Sequence, residues 1–304
     1  MTSSDQPSRR EALASLPAAA LGTSIAMNHA IAPDPGKLRH SIVAWCWRNY
    51  GPKWSLDQVC EAAKATGCAS VEIIPSSEWP TLAKYGLTCA MAPSGMSWSE
   101  GFNNPAHADE LHAKTVKAIE DSAANKVPTV IGFVGSKFKK PGDPTSGEIP
   151  LEEGYRNALA GIKKIAPIAE KHGVTLCIEH LNSRDASHPM KGHPEYQGDN
   201  IEQVVELLKK VGSPRVKLLF DIYHVQIMHG DLVRRVKELG DWIGHVHTAG
   251  NPGRCELDTK QEIHYTPVIQ ALWDVGYRGY LGHEFLPTRD AMAGLHEAVA
   301  ACRV

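Results

Sequence analysis

Short apolar runs alternate with longer amphipathic segments along the chain from residue 40 onward. Each run is rich in Val, Ile, Leu or Cys and is too short for a helix, which is typical of parallel strands buried on both faces. The eight runs are Ser41–Trp47, Ser70–Ile74, Leu87–Ala92, Thr129–Val134, Val174–Glu179, Val216–Asp221, Ile243–His247 and Tyr280–Phe285. The pattern therefore predicts eight parallel strands.

The segments between these runs carry helix signals. Ser55 and Asn200 stand where N-caps are expected, and each is followed three residues later by Gln. Strands alternating with helices form either a closed barrel or a doubly wound sheet. No glycine-rich phosphate fingerprint follows the first run, which disfavours a nucleotide-binding sheet. We therefore expect a single (β/α)8 TIM barrel over residues 37–304.

Composition is consistent with this fold and excludes some functions. The length of 304 residues slightly exceeds the roughly 250 typical of one barrel. A net charge of −2 gives no reason to expect nucleic acid as a partner, and no apolar stretch is long enough to span a membrane. The seven cysteines include no CxxC pair, which disfavours a thiolate zinc site.

The N-terminus has the features of an export signal. Arg9 and Arg10 precede an Ala- and Leu-rich run that continues to Met27. This order is typical of a twin-arginine signal, so we expect residues 1–36 to be an export signal and linker and the protein to be periplasmic. The alternative is a cytoplasmic enzyme with an N-terminal extension.

Acidic and imidazole side chains end four consecutive runs. Glu179, Asp221 and Glu284 would meet at the carboxyl-terminal mouth of the barrel, where such folds place their active sites. Buried carboxylates in one place repel each other unless a cation binds them, and oxygen-rich ligands favour Mn²⁺, Mg²⁺ or Co²⁺. Either His245 or His247 fits as a fourth ligand by alternation, and His247 lies nearer the strand end. Structural salt bridges with Lys or Arg are the alternative for each acid.

Several segments resemble the xylose isomerase-like barrel superfamily, and most closely its hydroxypyruvate isomerase and ketose 3-epimerase families. The resemblance covers 178–287 best and also includes the stretch at 55–73. Its matching segments are "IEHLN" (178–182), "LLFDIYHVQIMHGDL" (218–232), "HVHTAGNPGRCELD" (245–258) and "EIHYTPVIQALWDVGYRGYLGHEF" (262–285).

The resemblance implies roles for individual residues. The family's four metal ligands fall on Glu179, Asp221, His247 and Glu284. Glu179 and Glu284 also fall on the paired carboxylates that move a proton through an enediolate. The epimerases' contacts to substrate oxygens fall on His224 and Arg254. A divalent-metal-dependent isomerase or epimerase of a small carbohydrate or keto acid is thus implied.

Two further residues are predicted to contact substrate from their positions alone. Trp47 and Trp45 alternate in the first run with inward parity, and an aromatic wall against a sugar is as plausible there as core packing. Glu72 ends the second run and is expected to reach the pocket. The loop at 182–199 carries Arg184, His188, Lys191 and His193, which could close over a substrate or form a solvated surface.

Three rival functions stay open at this point. A keto-sugar lyase or dehydratase would share the first proton abstraction. An abasic-site endonuclease of the same superfamily would need further His ligands and a basic surface. A non-catalytic sugar-binding protein would not require two carboxylates across a carbonyl. Homo-oligomer formation is common in related barrels, but no residue pattern identifies an interface.

Overall fold

A computed structural model describes residues 38–304, and the predicted export segment lies outside these residues. Eight of its strands form one parallel sheet: β1 Arg39–Val43, β2 Ser70–Glu72, β3 Met91–Pro93, β4 Thr129–Gly132, β7 Thr175–Glu179, β8 Val216–Asp221, β9 Ile243–Thr248 and β10 Tyr280–His283. Two more, β5 Phe138–Lys140 and β6 Asp143–Glu148, form a separate antiparallel hairpin. The eight predicted runs each contribute one strand.

The sheet curves into a barrel. Its strand order is β2-β1-β10-β9-β8-β7-β4-β3. The two end strands meet where Ser70 pairs in parallel with Thr88, the Val71 amide donates to the Thr88 carbonyl at 3.1 Å, and the Ile73 amide donates to the Met91 carbonyl at 2.9 Å. The predicted (β/α)8 barrel is confirmed.

Helices follow the strands and cover the outside of the barrel. Their bounds are α1 Ala44–Asn49, α2 Leu56–Thr66, α3 Trp79–Lys84, α4 Ala108–Ala124, α5 Leu151–His172, α6 Ile201–Val211, α7 Ile222–Met228, α8 Leu232–Leu239, α9 Tyr265–Asp274 and α10 Ala291–Ala301. Ser55 and Gln58 form the predicted capping box at the start of α2, and the Asn200 side chain accepts from the Gln203 amide at the start of α6. Left-handed Gly67 and Gly212 end the same two helices.

Alternation along the strands builds layers inside the barrel. Met91, Ile131, Cys177 and Leu219 come from four neighbouring strands and form one buried apolar cluster. Cys177 and Leu219 lie two residues before the acids that end their strands. Because side chains repeat every second residue along a strand, the acids occupy the next layer, at the carboxyl-terminal mouth.

The predicted end of the first strand is wrong. The first strand was predicted to run to Trp47, but it ends at Val43 and α1 begins at Ala44. A short buried helix continues the apolar run, so hydrophobicity does not mark the change. The long connection between β4 and α5 contains the β5–β6 hairpin.

Among the described helices, none is long and apolar enough to cross a membrane.

Candidate active site

Four buried side chains converge at the carboxyl-terminal mouth of the barrel. Glu179 ends β7, Asp221 ends β8, His247 lies in β9 and Glu284 directly follows β10. One ligand-capable atom of each lies within 4.8 Å of those of the other three. These are the four residues that the sequence predicted as a metal-binding set.

Local backbone structure aims Asp221 into this cluster. Asp221 is the N-cap of α7, and its Oδ1 accepts hydrogen bonds from the amides of Tyr223 at 2.8 Å and His224 at 3.4 Å. Its Oδ2 is left facing the other ligands. The end of the neighbouring strand is held by Tyr196, whose hydroxyl donates to the carbonyl of Glu179 at 2.7 Å.

The structure distinguishes the two histidines of β9. Nδ1 of His247 lies 2.9 Å from Oε2 of Glu284 and 3.7 Å from Oε1 of Glu179, so His247 belongs to the cluster. His245 lies one layer deeper, and its Nε2 contacts Oε1 of Glu72 at 2.8 Å. The alternation of the strand places both rings inside the barrel, but only one reaches the mouth.

The cluster fits a divalent cation. Within the cluster, four buried atoms make no hydrogen bond of acceptable geometry to the described residues: Glu179 Oε1, Asp221 Oδ2, His247 Nδ1 and Glu284 Oε2. Of these, Glu284 Oε2 has a close ion-pair contact, with Arg254 Nη2 at 2.6 Å. Leaving a buried polar atom unpaired costs about 1–3 kcal/mol, so the other three favour a further partner for the cluster. Three carboxylate oxygens and one imidazole nitrogen suit Mn²⁺, Mg²⁺ or Co²⁺.

Electrostatics point to the same requirement for positive charge. Burial, with a smaller contribution from the negative charge of Glu284, raises the pKa of Glu179 to about 7. Burial and the same neighbouring charge raise the pKa of Asp221 to about 6. At Glu284 burial opposes ionisation, but Arg254 and His247 outweigh it and lower the pKa to about 2. A cation among these groups would favour the charged form of every carboxylate.

Arg254 and His224 lie beside the four candidate ligands, as the sequence predicted. The guanidinium Nη2 of Arg254 is 2.6 Å from Glu284 Oε2 and 3.7 Å from Asp221 Oδ2. Its Nη1 is 3.2 Å from Nε2 of His224. Asn182 holds the His224 ring from the other side, with its amide N and Nδ2 at 3.2 and 2.7 Å from Nδ1. The two side chains thus present polar atoms next to the cluster.

The two substrate contacts predicted from position alone are fully buried. Trp47 packs edge-on against Phe285, with ring centroids 4.9 Å apart, and is part of the core. Its neighbour Trp45 is the tryptophan at the site, since its Nε1 donates to Oε1 of Glu284 at 2.9 Å. Glu72 lies on the Nε2 side of the His247 imidazole, opposite the Nδ1 that faces the cluster. Substrate contact by Trp47 and Glu72 stays a prediction.

The loop at 182–199 packs over the mouth. The Tyr223 hydroxyl donates to the Met190 carbonyl at 2.7 Å, and the His188 ring stacks on Tyr50 at 5.4 Å. The ammonium group of Lys191 lies 5.0 Å from the Tyr50 ring and 5.5 Å from the Trp45 ring. The loop therefore places the positively charged side chain of Lys191 near the site. The sequence named Trp45 beside Trp47 without distinguishing them, and it missed Tyr50 and Asn182, because their roles depend on contacts between segments far apart in the chain.

Comparison with known proteins agrees with the barrel fold. Residues 60–302 match the family described as xylose isomerase-like TIM barrel. The chain belongs to this family. The match covers nearly the whole barrel, including all four candidate ligands.

Two relatives illustrate the similarity within the family. The chain is 30% identical over 144 residues to the hydroxypyruvate isomerase of Escherichia coli, a match that covers 47% of this chain and 53% of the relative. It is 27% identical over 246 residues to the 2-oxo-tetronate isomerase of Pectobacterium atrosepticum, which covers 77% of this chain and 88% of the relative. For several of the curated relatives, including the hydroxypyruvate isomerase of Escherichia coli, the matched segment spans about half of the relative's length.

Two solved structures share the fold. An AP endonuclease, family 2, from Brucella melitensis superposes with a TM-score of 0.70 at 24% identity, covering 86% of this chain and 96% of that one. A D-psicose 3-epimerase in the presence of D-fructose gives a TM-score of 0.66 at 20% identity, covering 87% and 96%. At this level of identity the likeness concerns the barrel alone.

Proposed function

We propose that the chain is a divalent-cation-dependent isomerase or epimerase of a small sugar or keto acid. The observation that carries the proposal is the convergence of four buried ligand-capable atoms within 4.8 Å of one another, which includes one oxygen from each of two glutamates. The similarity to a hydroxypyruvate isomerase and a 2-oxo-tetronate isomerase supports the substrate class.

Glu179, Asp221, His247 and Glu284 would hold the cation. When bound, the cation supplies a Lewis acid beside the carbonyl of the substrate. Three carboxylate oxygens and one imidazole nitrogen of these side chains already lie within 4.8 Å of one another, so little reorganisation of the protein would be needed.

Proton transfer is assigned to the two glutamates. One carboxylate takes the proton from the carbon beside the carbonyl, and the other returns a proton. Return to the opposite face of the same carbon gives an epimer, whereas return to the neighbouring carbon gives an aldose–ketose type of isomer. Glu284 is held by Arg254 and Trp45, while Glu179 has no comparable cationic partner among the contacts of the described structure.

His224 and Arg254 are assigned to the oxygen atoms of the substrate. Nε2 of His224 and Nη1 of Arg254 lie 3.2 Å apart and face the same region of the site. A substrate oxygen that gains negative charge during proton transfer would be stabilised by these donors.

The proposal is tested by following a panel of small ketoses, hydroxypyruvate and related keto acids by NMR with Mn²⁺-loaded protein. We expect at least one substrate to be converted to an isomer, and conversion to stop when EDTA is added. Equal turnover in EDTA would contradict the cation's role. Cleavage or loss of water instead of isomerisation would indicate the lyase or dehydratase.

A further inference from the structure

A second polar cluster lies directly behind the candidate ligands. Glu72 is fully buried, and its Oε1 contacts Nε2 of His245 at 2.8 Å and Nε2 of His247 at 2.9 Å. Both distances are those of hydrogen bonds in which each imidazole donates its Nε2–H to the same carboxylate oxygen. No residue of this trio other than His247 belongs to the ligand set described above.

Barrel geometry shows how this contact is made. Glu72 ends β2, whereas His247 lies in β9, and β1 and β10 stand between them in the sheet. The carboxylate therefore reaches across the barrel interior. The register pairs His247 with Gly282 and Gly282 with Ser41, so two small residues line the gap.

Gly282 keeps this gap open. A Cβ at Gly282 would lie 2.5 Å from Glu72 Oε1 and 2.7 Å from His247 Cδ2. Both approaches are closer than side-chain atoms tolerate, so the absence of a side chain at this position is what lets the Glu72 carboxylate sit beside the His247 ring.

Burying a carboxylate in a barrel core costs several kcal/mol unless specific partners compensate it. An apolar residue at this position would fill the same layer without that cost. The partners that Glu72 has are two imidazoles, one of which presents its other nitrogen to the ligand cluster. Glu72 is thus held by polar contacts with these two imidazoles, one of which belongs to the ligand cluster.

We infer that Glu72 is a positioning residue that holds the proton of His247 on Nε2 and aims Nδ1 at the cation site. This inference rests on the cation site of the proposed function. A carboxylate that accepts the distal N–H of a metal-binding imidazole fixes its tautomer and ring orientation, and removing such a carboxylate typically weakens metal binding about 10- to 100-fold.

The test compares Glu72→Gln with a matched control, Glu256→Gln. Glu256 is also a buried glutamate, but its carboxylate accepts from Thr288 and the Arg289 amide and contacts no candidate ligand. The affinity for Mn²⁺ is measured from the free-ion EPR signal, and thermal unfolding is followed in EDTA. We expect Glu72→Gln to lose about 10- to 100-fold in Mn²⁺ affinity with metal-free folding retained, and Glu256→Gln to keep the wild-type affinity.

A second variant separates the two imidazole contacts. His245→Gln exchanges this imidazole for an amide and leaves Glu72 bonded to His247, so we expect Mn²⁺ affinity to stay within about threefold of wild type. A loss in His245→Gln as large as that in Glu72→Gln would overturn the inference, because packing of the whole cluster would then set the affinity. Wild-type affinity in a folded Glu72→Gln variant would overturn it as well.

A measurement on the unmodified chain covers the case in which Glu72→Gln fails to fold. In Mg²⁺-loaded protein with ¹⁵N-labelled histidine, the inference predicts that the His247 signal shows a proton on Nε2 and none on Nδ1. The opposite tautomer would overturn it. Two Mn²⁺ ions per wild-type chain, with one lost in Glu72→Gln, would also overturn it, since Glu72 would then bind a cation itself. Failure of the wild-type chain to bind any Mn²⁺ would instead contradict the proposed cation site, and this inference with it.

Discussion

The indole Nε1 of Trp45 donates a 2.9 Å hydrogen bond to Oε1 of Glu284, the carboxylate that lies 2.6 Å from the guanidinium of Arg254. Trp45 follows β1 and Glu284 follows β10, and these strands are neighbours in the barrel. The contact therefore links the first and last strands of the chain at the mouth. It also holds one oxygen of Glu284 so that the other faces the candidate cation site.

Replacing Trp45 with Phe removes this hydrogen bond while keeping an aromatic ring. Hydrogen bonds to charged groups contribute about 1.5–3 kcal/mol to stability, so we expect the melting temperature to fall by several degrees. We also expect turnover to fall about tenfold, because Glu284 is held less well for proton transfer. Steady-state kinetics and thermal unfolding measure the two effects. Wild-type turnover in Trp45→Phe would show that Glu284 does not depend on this contact.

Glutamine at either proton-transfer position keeps the shape of the side chain but cannot accept a proton. For Glu179→Gln and Glu284→Gln we expect turnover to fall about 10²- to 10⁴-fold in a folded barrel. The buried Glu256→Gln variant is the control and should retain activity. Activity close to wild type in both site variants would contradict the assignment of proton transfer to the two glutamates.

Arg254 compensates buried negative charge at the site. In Arg254→Met, Asp221 and Glu284 lose their nearby guanidinium, and breaking a buried ion pair in this way costs about 3–5 kcal/mol. We expect urea unfolding in EDTA to show this loss and Mn²⁺ to restore part of it, because a cation bound only by the folded state stabilises it.

Arg289 provides the comparison for this variant. It pairs with Asp258 and Glu297, but its side chain is 35% exposed, and surface ion pairs contribute only about 0–1 kcal/mol. Arg289→Met should therefore be much less destabilising than Arg254→Met and should show no rescue by Mn²⁺. Equal losses in the two variants would contradict a special role for Arg254.

Lys191 offers a way to distinguish keto acids from neutral ketoses. Its ammonium lies beside the rings of Trp45 and Tyr50 at the mouth, where it could pair with the carboxylate of an anionic substrate. We expect Lys191→Met to raise KM for hydroxypyruvate about tenfold and to leave KM for neutral ketoses nearly unchanged. Lys139→Met, on the exposed hairpin, is the control. Equal effects on both substrate classes would show that Lys191 does not distinguish anionic from neutral substrates.

Much of the barrel could be predicted from the sequence because parallel strands buried on both faces have a distinctive pattern. The runs that end at Glu179 and Asp221 mark the ends of their strands to the residue, since an acid interrupts an apolar stretch there. The run at Ser41–Trp47 does not mark the end of its strand, because the helix that follows Val43 is equally apolar. Periodicity over so few residues cannot separate a buried strand from a buried helix.

The convergence of the four candidate ligands could also be predicted, since each member lies at or next to the end of a strand and parallel strands share one edge. The side-chain contacts that surround this set could not be predicted from the sequence. The contact of Trp45 with Glu284 depends on a helix that the sequence did not reveal, and that of Glu72 with His247 depends on the gap left by Gly282. Both join residues about 170 or more positions apart, and no local pattern in the chain encodes such pairs.

Solvent deuterium exchange tests proton transfer at the candidate cation site most directly. Mn²⁺-loaded protein is incubated in D₂O with the converted substrate, quenched with EDTA, and the recovered substrate and product are analysed by NMR. We predict deuterium at the carbon beside the carbonyl, at a rate that falls to background in metal-free protein and in Glu179→Gln or Glu284→Gln. Product that forms at the normal rate with no deuterium would contradict the account, because the hydrogen would then move directly between carbons without passing through either glutamate.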